Sequence, residues 1–387
     1  MKTKGVKPFT CRALHDKEKR NLAILELIRK KGVISRSDIS RTTGINVVSV
    51  SNYINNFIDK KLVLEKGQAA SSGGRKPELV ELDCAENFAL GIDVSAHGVS
   101  AVRTDIGMNV IRKQAAPRPA LKSDLAEAAI ALVNDTVKAA NLSVGNIKTA
   151  GIGVCEDELA FVGSALEERF NMPFFVGDES TCSAFAEKLF NPSSDVARLL
   201  YIHSDLGSGV VIDEALCIGS ANALSDSPDK AKKAAAGADA ERVKYLRPWS
   251  EYLSVVNMAR REVERGVGTK IVSLLAGRDV DGLTEDIVIE AARQKDETAS
   301  NIIETASINL GLRIAYLINL FGPQAVVIAG GPEKAADMTF PFISRMINKL
   351  SIREHAKTVG VFPGTLGDDR LSLGAATLAV RELFLNA

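Results

Sequence analysis

The sequence predicts an α/β protein in two domains: a winged helix-turn-helix with an N-terminal arm over residues 1–83, and a two-lobed α/β body over residues 84–387. The first lobe is expected to run roughly from 84 to 200 and to take in the C-terminal helix. Three observations predict this. The formal net charge is zero, yet residues 1–80 hold 17 Lys and Arg against 7 Asp and Glu, and the remainder holds 31 against 41, so a head of +10 precedes a body of −10. Three short helical patterns, followed by a hairpin with a Gly/Ser-rich tip, fill that head. From Asn87 onward, strand and helix patterns alternate.

In the head, "KRNLAILELIRKK" (19–31) puts Leu22, Leu25 and Ile28 on one helical face, widened by Ala23, Ile24 and Leu27. Ser35 is a good N-cap for the next short helix and Gly44 a good stop, while Asn46 caps a third helix that buries Val50, Ile54 and Phe57. The other face of that helix carries Val47, Ser49, Ser51, Asn52 and Asn55. A last helix of this kind enters the major groove, where an Asn can bond an adenine edge through two atoms, a Ser a base or phosphate, and Val47 or Val48 a thymine methyl. Ser35, Arg36 and Asn46 join this candidate DNA-binding set. So do Arg75 and Lys76, at the tip of a wing whose strands contain Leu62–Leu64 and Leu79–Leu82.

The charge asymmetry favours a phosphate-bearing partner, because cationic side chains gain by displacing counterions. Membrane functions are not expected: no apolar run reaches spanning length, and no apolar signal core follows the basic N-terminus. A cytoplasmic location is expected. The five cysteines are scattered without a CxxC pair and read as reduced side chains. In the body, "FALGIDVS", "VSAVRTDIG" and "MNVIRKQ" read as strands, "SDLAEAAIALVNDTVKAAN" as a helix and "TAGIGVC" as a strand. "FFVGDEST", "RLLYIHSD" and "GSGVVIDEAL" follow as strands around the helix "STCSAFAEKLF". A long helix stopped at Gly322-Pro323, the strand "QAVVIAGG" and the helix "LSLGAATLAVREL" complete the pattern. His15 and His355 read as surface residues.

The segments "SSGGRKP", "LGIDVSAHGVSAVRTDIGMNV", "ERFNMPFFVGDESTCSAFAE", "GSGVVIDEALCIG", "LINLFGPQAVVIAGG" and "GTLGDDRLSLGAATLA" together resemble the ROK family of repressors, open reading frames and kinases. The resemblance covers nearly the whole chain and implies a ribonuclease H-like, actin-like ATPase fold. The winged head is similar to that of the repressor branch, which implies an operator in double-stranded DNA, a homodimer or higher homo-oligomer, and release by a sugar, a sugar phosphate or a partner.

The resemblance also shows where the kinase chemistry is altered. The family's first phosphate loop resembles DxGGT; Asp93 stands, but Ser95 and Ala96 replace the glycines and His97 the threonine. The second resembles GTGxGxG, where this chain reads His203, Ser204, Asp205, Leu206, Gly207, Ser208, Gly209. The catalytic Asn-Asp pair aligns with Asp178 and Glu179, or, one residue slipped, puts Asp178 at the catalytic place; an acidic helix start is the plainer role for both. Asp226 falls near the family's sugar-binding glutamate. Gly330 and Gly331 keep the adenosine-side turn. The pocket residues the resemblance implies are thus Asp93, Asp178, Glu179, Gly207, Gly209, Asp226, Gly330 and Gly331. Between Gly219 and Trp249 there is neither Cys nor His, so the family's structural zinc is not expected, nor are ATP and magnesium. The expected function is a DNA-binding repressor without catalysis that senses a sugar-like molecule. A divergent ATP-dependent sugar kinase is the alternative, and a regulator with no small-molecule effector is a third reading.

Overall fold

In the computed structural model, which describes residues 6–8, 14–68, 78–95, 98–138, 146–154, 156–191, 196–203, 207–212, 216–220, 255–277, 279–352 and 358–387, the head forms the expected helices. Helix α1 (Asp16–Lys31) buries Leu22, Ile24, Leu25 and Ile28 and ends at Gly32. Its first turn is acidic and its last basic, complementing the helix dipole. A two-residue strand β2 (Ile34–Ser35) leads into α2 (Arg36–Thr43), which Ser35 caps and Gly44 stops at φ 71°. Helix α3 (Val47–Asp59) is capped by Asn46, whose side chain accepts a hydrogen bond from the Ser49 amide, and buries Val50, Ile54 and Phe57. Strands β3 (Val63–Gln68) and β4 (Glu78–Leu82) pair antiparallel, and β2 joins them in the order β2-β4-β3, so the head is winged.

The chain divides into two compact units, residues 1–186 with 368–387, and residues 187–367. The first holds the head and a six-stranded sheet. An arm strand β1 (Val6–Pro8) forms one edge of that sheet, a place that tolerates proline, and pairs parallel with β9 (Phe174–Gly177). Inward from it lie β8 (Ile147–Val154), β5 (Phe88–Ser95), β6 (Gly98–Asp105) and β7 (Val110–Ala116). Side chains alternate across β5: Leu90, Ile92 and Val94 pack with Leu125, Ala129 and Val133 of α4 (Leu125–Lys138), while Gly91 faces the C-terminal helix. That last helix lies so close that a Cβ at Gly91 or Gly151 would overlap the Ser372 or Ala375 carbonyl. Asp93, in phase with Gly91, therefore points to the start of the same helix.

Helix α5 (Glu156–Phe170) buries Val162 and Leu166 in the sheet core. Helix α6 (Glu179–Phe190) begins in the first unit and ends in the second.

The second unit carries a mixed sheet in the order β12-β11-β10-β13-β14, formed by β10 (Arg198–His203), β11 (Gly207–Ile212), β12 (Leu216–Ser220), β13 (Ala325–Ala329) and β14 (Gly360–Pro363). Helices α7 (Val255–Glu264), α8 (Lys270–Leu274) and α9 (Glu285–Arg293) form a small cluster around Ala259, Ile271 and Val288. Leu200, Ile202, Val326 and Ile328 of the sheet pack against Ile314 and Ile318 of α10 (Glu297–Phe321) and Ile343 and Ile347 of α11 (Ala336–Leu350). Gly322, at φ 54°, stops α10 as expected. The C-terminal helix is α12 (Arg370–Leu385). Among the described residues, no helix is long and apolar enough to cross a membrane.

Candidate nucleic-acid interface and acidic cluster

Helix α3 presents one exposed face. Val47 and Val48, at its first turn, are 48% and 67% exposed, and Asn52 and Asn55 are exposed beyond them. Val48, Asn52 and Asn55 are spaced by four and three, one stripe facing away from buried Val50, Ile54 and Phe57. Ser49 and Ser51 are half-buried, and the Ser51 hydroxyl donates to the Val47 carbonyl at 2.9 Å. Asn46 sits exposed at the cap, with its Oδ1 accepting from the Ser49 amide at 2.8 Å.

Two of the sequence-predicted residues are placed differently. Ser35 is 3% exposed, and its hydroxyl is engaged by the Asp38 amide, the Asp38 carboxylate and Ser37, so it holds the start of α2. Arg36 folds inward: Nη1 donates to Asn55 Oδ1 at 2.9 Å, Nη2 to Glu65 Oε1 at 2.9 Å, and Nε lies 3.5 Å from Glu78 Oε2. Its guanidinium thus ties α3 to both wing strands. Arg75 and Lys76 lie outside the described residues, as do Ala96, His97, Ser204, Asp205, Leu206 and Asp226.

In the first unit, β5 delivers Asp93 to a buried, acidic place. The carboxyl is 6% exposed, its Oδ1 has no hydrogen-bond partner among the described residues, and Ser95 Oγ reaches its Oδ2 only at 3.5 Å. Burial pushes its pKa up to about 7, and the charges of Glu179 and Asp368 add to this, while the Ser95 hydrogen bond and Arg370 oppose it. Asp178 and Glu179 stand at the head of α6. Asp178 is the cap, accepting from the Thr181 amide at 2.9 Å and the Thr181 hydroxyl at 2.7 Å, which is the plainer of the two roles expected for it. Arg370 and Asp368 were not legible beside Asp93, because nothing in the sequence links positions so far apart.

In the second unit, β13 ends in the Gly330-Gly331 turn at φ 84° and 126°. A Cβ on Gly330 would overlap the His203 ring, and one on Gly331 the Glu285 carboxylate, so only glycine fits either place. The two amides point at the chain's own carboxylate: Gly330 N–H donates to Glu333 Oε1 at 3.0 Å and Gly331 N–H to Oε2 at 2.7 Å. A glutamate two residues beyond a Gly-Gly turn was the one available signal for this. Gly207 and Gly209 lie in β11, paired with His203 and Tyr201 of β10.

Glu333 thus occupies both amides of the Gly330-Gly331 turn, and Glu285 brings a second carboxylate beside Gly331.

A winged helix-turn-helix joined to a two-lobed body of the ribonuclease H-like, actin-like ATPase type defines the class of protein. The chain belongs to the ROK family, whose model matches residues 89–224 and 263–382. It is 24% identical to the xylose repressor of Caldicellulosiruptor bescii over 388 residues, covering 95% of this chain and 96% of that protein. It is 25% identical over 394 residues to the DNA-binding transcriptional dual regulator NagC of Escherichia coli K12, covering 95% and 93%. Among solved structures it is similar to a ROK family transcriptional regulator, a homologue of the E. coli MLC protein, with a TM-score of 0.72 and 20% identity over 96% of this chain and 97% of that one.

Proposed function

We propose that this chain is a DNA-binding transcriptional regulator, a repressor, in which residues 1–83 read an operator and the body has left phosphoryl transfer for regulation. The observation that carries the reading is α3, capped and buried along one side, with Val48, Asn52 and Asn55 exposed along the other. The basic head and the repressor and regulator names of relatives that span nearly the whole chain support it. The protein acts in the cytoplasm as a homodimer, so that two copies of α3 meet two half-sites. Its effector is a sugar or related small molecule, since Asp93 Oδ1 offers a buried acceptor that a ligand hydroxyl would satisfy.

The test is a gel-shift titration at low salt against the promoter beside its own gene. The wild-type chain is expected to bind, and Asn52→Ala to bind about 5- to 100-fold more weakly. Absence of a shift at low salt contradicts the reading. A thermal-shift screen of sugars and sugar phosphates finds the effector, because a ligand that binds only the folded state raises its melting temperature.

A further inference from the structure

Among the described residues thirteen large apolar side chains are exposed, and five of them, Leu312, Tyr316, Leu320, Leu350 and Ile352, meet on the second unit. Leu312, Tyr316 and Leu320 recur every four residues along α10, so they form one ridge. Leu350 and Ile352, at and just beyond the end of α11, adjoin it through Asn319. The Asn319 Nδ2 donates to the Leu350 carbonyl at 3.2 Å, and its Oδ1 accepts from the Ile352 amide at 2.8 Å. The other sides of α10 are occupied. Ile314 and Ile318 pack with the sheet, and Gly311 lies so close to α11 that a Cβ there would press on Ile343 and Met346.

The extent and the charge of this face fit a second copy of the chain. At 36%, 67%, 60%, 43% and 51% exposure, five residues that each present on the order of 200 Å² when free leave about 500 Å² of surface in water. That is at the upper end of the apolar patches monomers carry, and the greater part of the about 800 Å² that each partner buries in a standard interface. A contact between identical copies about a two-fold axis sets each residue near its own equivalent, so a charge there meets a like charge. From Thr305 to Gln324 the sequence holds one charged residue, Arg313, which is half-buried and off the ridge. The ridge also reads the same from either end. A two-fold axis through Tyr316 therefore sets Leu312 against Leu320 of the partner subunit, and Tyr316 against the partner's Tyr316. Ridges at steps of four interdigitate in the commonest packing of two helices, and tyrosine is enriched where two proteins meet.

We infer that α10 is the dimer interface of this protein: two copies pack α10 on α10 about a two-fold axis at Tyr316, with Leu350 and Ile352 closing each end of the contact. The inference rests on the homodimeric reading of the protein and names its surface.

The experiment is size-exclusion chromatography with light scattering on the full-length chain at micromolar concentration, as wild type, Tyr316→Glu, Leu320→Glu and Val110→Glu. Val110, an exposed apolar residue on β7 of the first unit, is the control. Wild type and Val110→Glu are expected at the mass of two chains. Tyr316→Glu and Leu320→Glu are expected at the mass of one, with the circular dichroism of the wild type, because a carboxylate closed among apolar side chains loses its water. A folded Tyr316→Glu or Leu320→Glu that keeps the mass of two chains overturns the inference. Both side chains are exposed, so Leu320→Glu decides the matter where Tyr316→Glu does not fold. A wild type at the mass of one chain removes the homodimeric reading itself, and the inference with it, whereas a wild-type dimer that both glutamates leave whole removes the inference alone.

Discussion

Asp93 is a carboxyl that the alternation of one strand carries into a buried place. Its position at the end of a buried strand follows from the alternation of β5, and it was legible as soon as "GIDVS" was read as a strand running into a turn. What surrounds it was not legible, because Glu179, Asp368 and Arg370 reach it only through tertiary packing. Its carboxyl would ionise near the ordinary 3.8 in the unfolded chain but near 7 in the fold. Between those values the fold retains a proton that the unfolded chain has lost, so this group lowers stability as pH rises from about 4 to about 7. Asp93→Asn removes the penalty. It is expected to melt above the wild type at pH 8, by an amount of the order of a few kcal/mol, with the gap closing by pH 4. Melting curves across that range check this, and a gap that does not change with pH would show that the buried charge is not its source.

At the scale of elements, local chemistry made most of the head readable. Ser35, Gly44, Asn46 and Gly322 stand at the caps and stops expected of them, since capping depends on residues within one turn. The arm strand β1 was not readable: three residues ending in proline carry no periodicity, and β1 exists only because β9 offers an edge. Helix α5 did carry a readable signal, Val162, Leu166 and Phe170 at steps of four, which the sheet beneath buries. The Gly330-Gly331 turn lies between these cases. The glycines were visible, but the carboxylates that fill the turn declare themselves only in three dimensions. Gly330→Ala is expected to destabilise the protein by at least about 1–2 kcal/mol, because it joins a left-handed backbone to overlap with the buried His203 ring. Chemical denaturation measures the loss.

At the scale of the molecule, the head and first lobe share one unit with the last residue of the chain. Asn21, fully buried on α1, donates to the carbonyls of Leu385 at 3.1 Å and Ala387 at 2.7 Å, and Lys60 reaches the carbonyl of Asn386 at 3.3 Å. Helix α12 therefore runs from the neighbourhood of Asp93 at Arg370 to the head at its C-terminus. Asn21→Ala, which leaves two carbonyls without their donor, is expected to cost about 1–3 kcal/mol in a melting experiment. Mg-ATP is expected to leave the melting temperature of the wild type unchanged, as follows from turn amides already taken by Glu333.

Footprinting on the promoter beside the chain's own gene asks whether α3 reads DNA. The wild type and Asp93→Asn are both expected to protect one site at low salt, and Asn52→Ala to protect it only at about 5- to 100-fold higher concentration; a promoter left uniformly open, or one that Asn52→Ala protects equally well, means that α3 is not the reader.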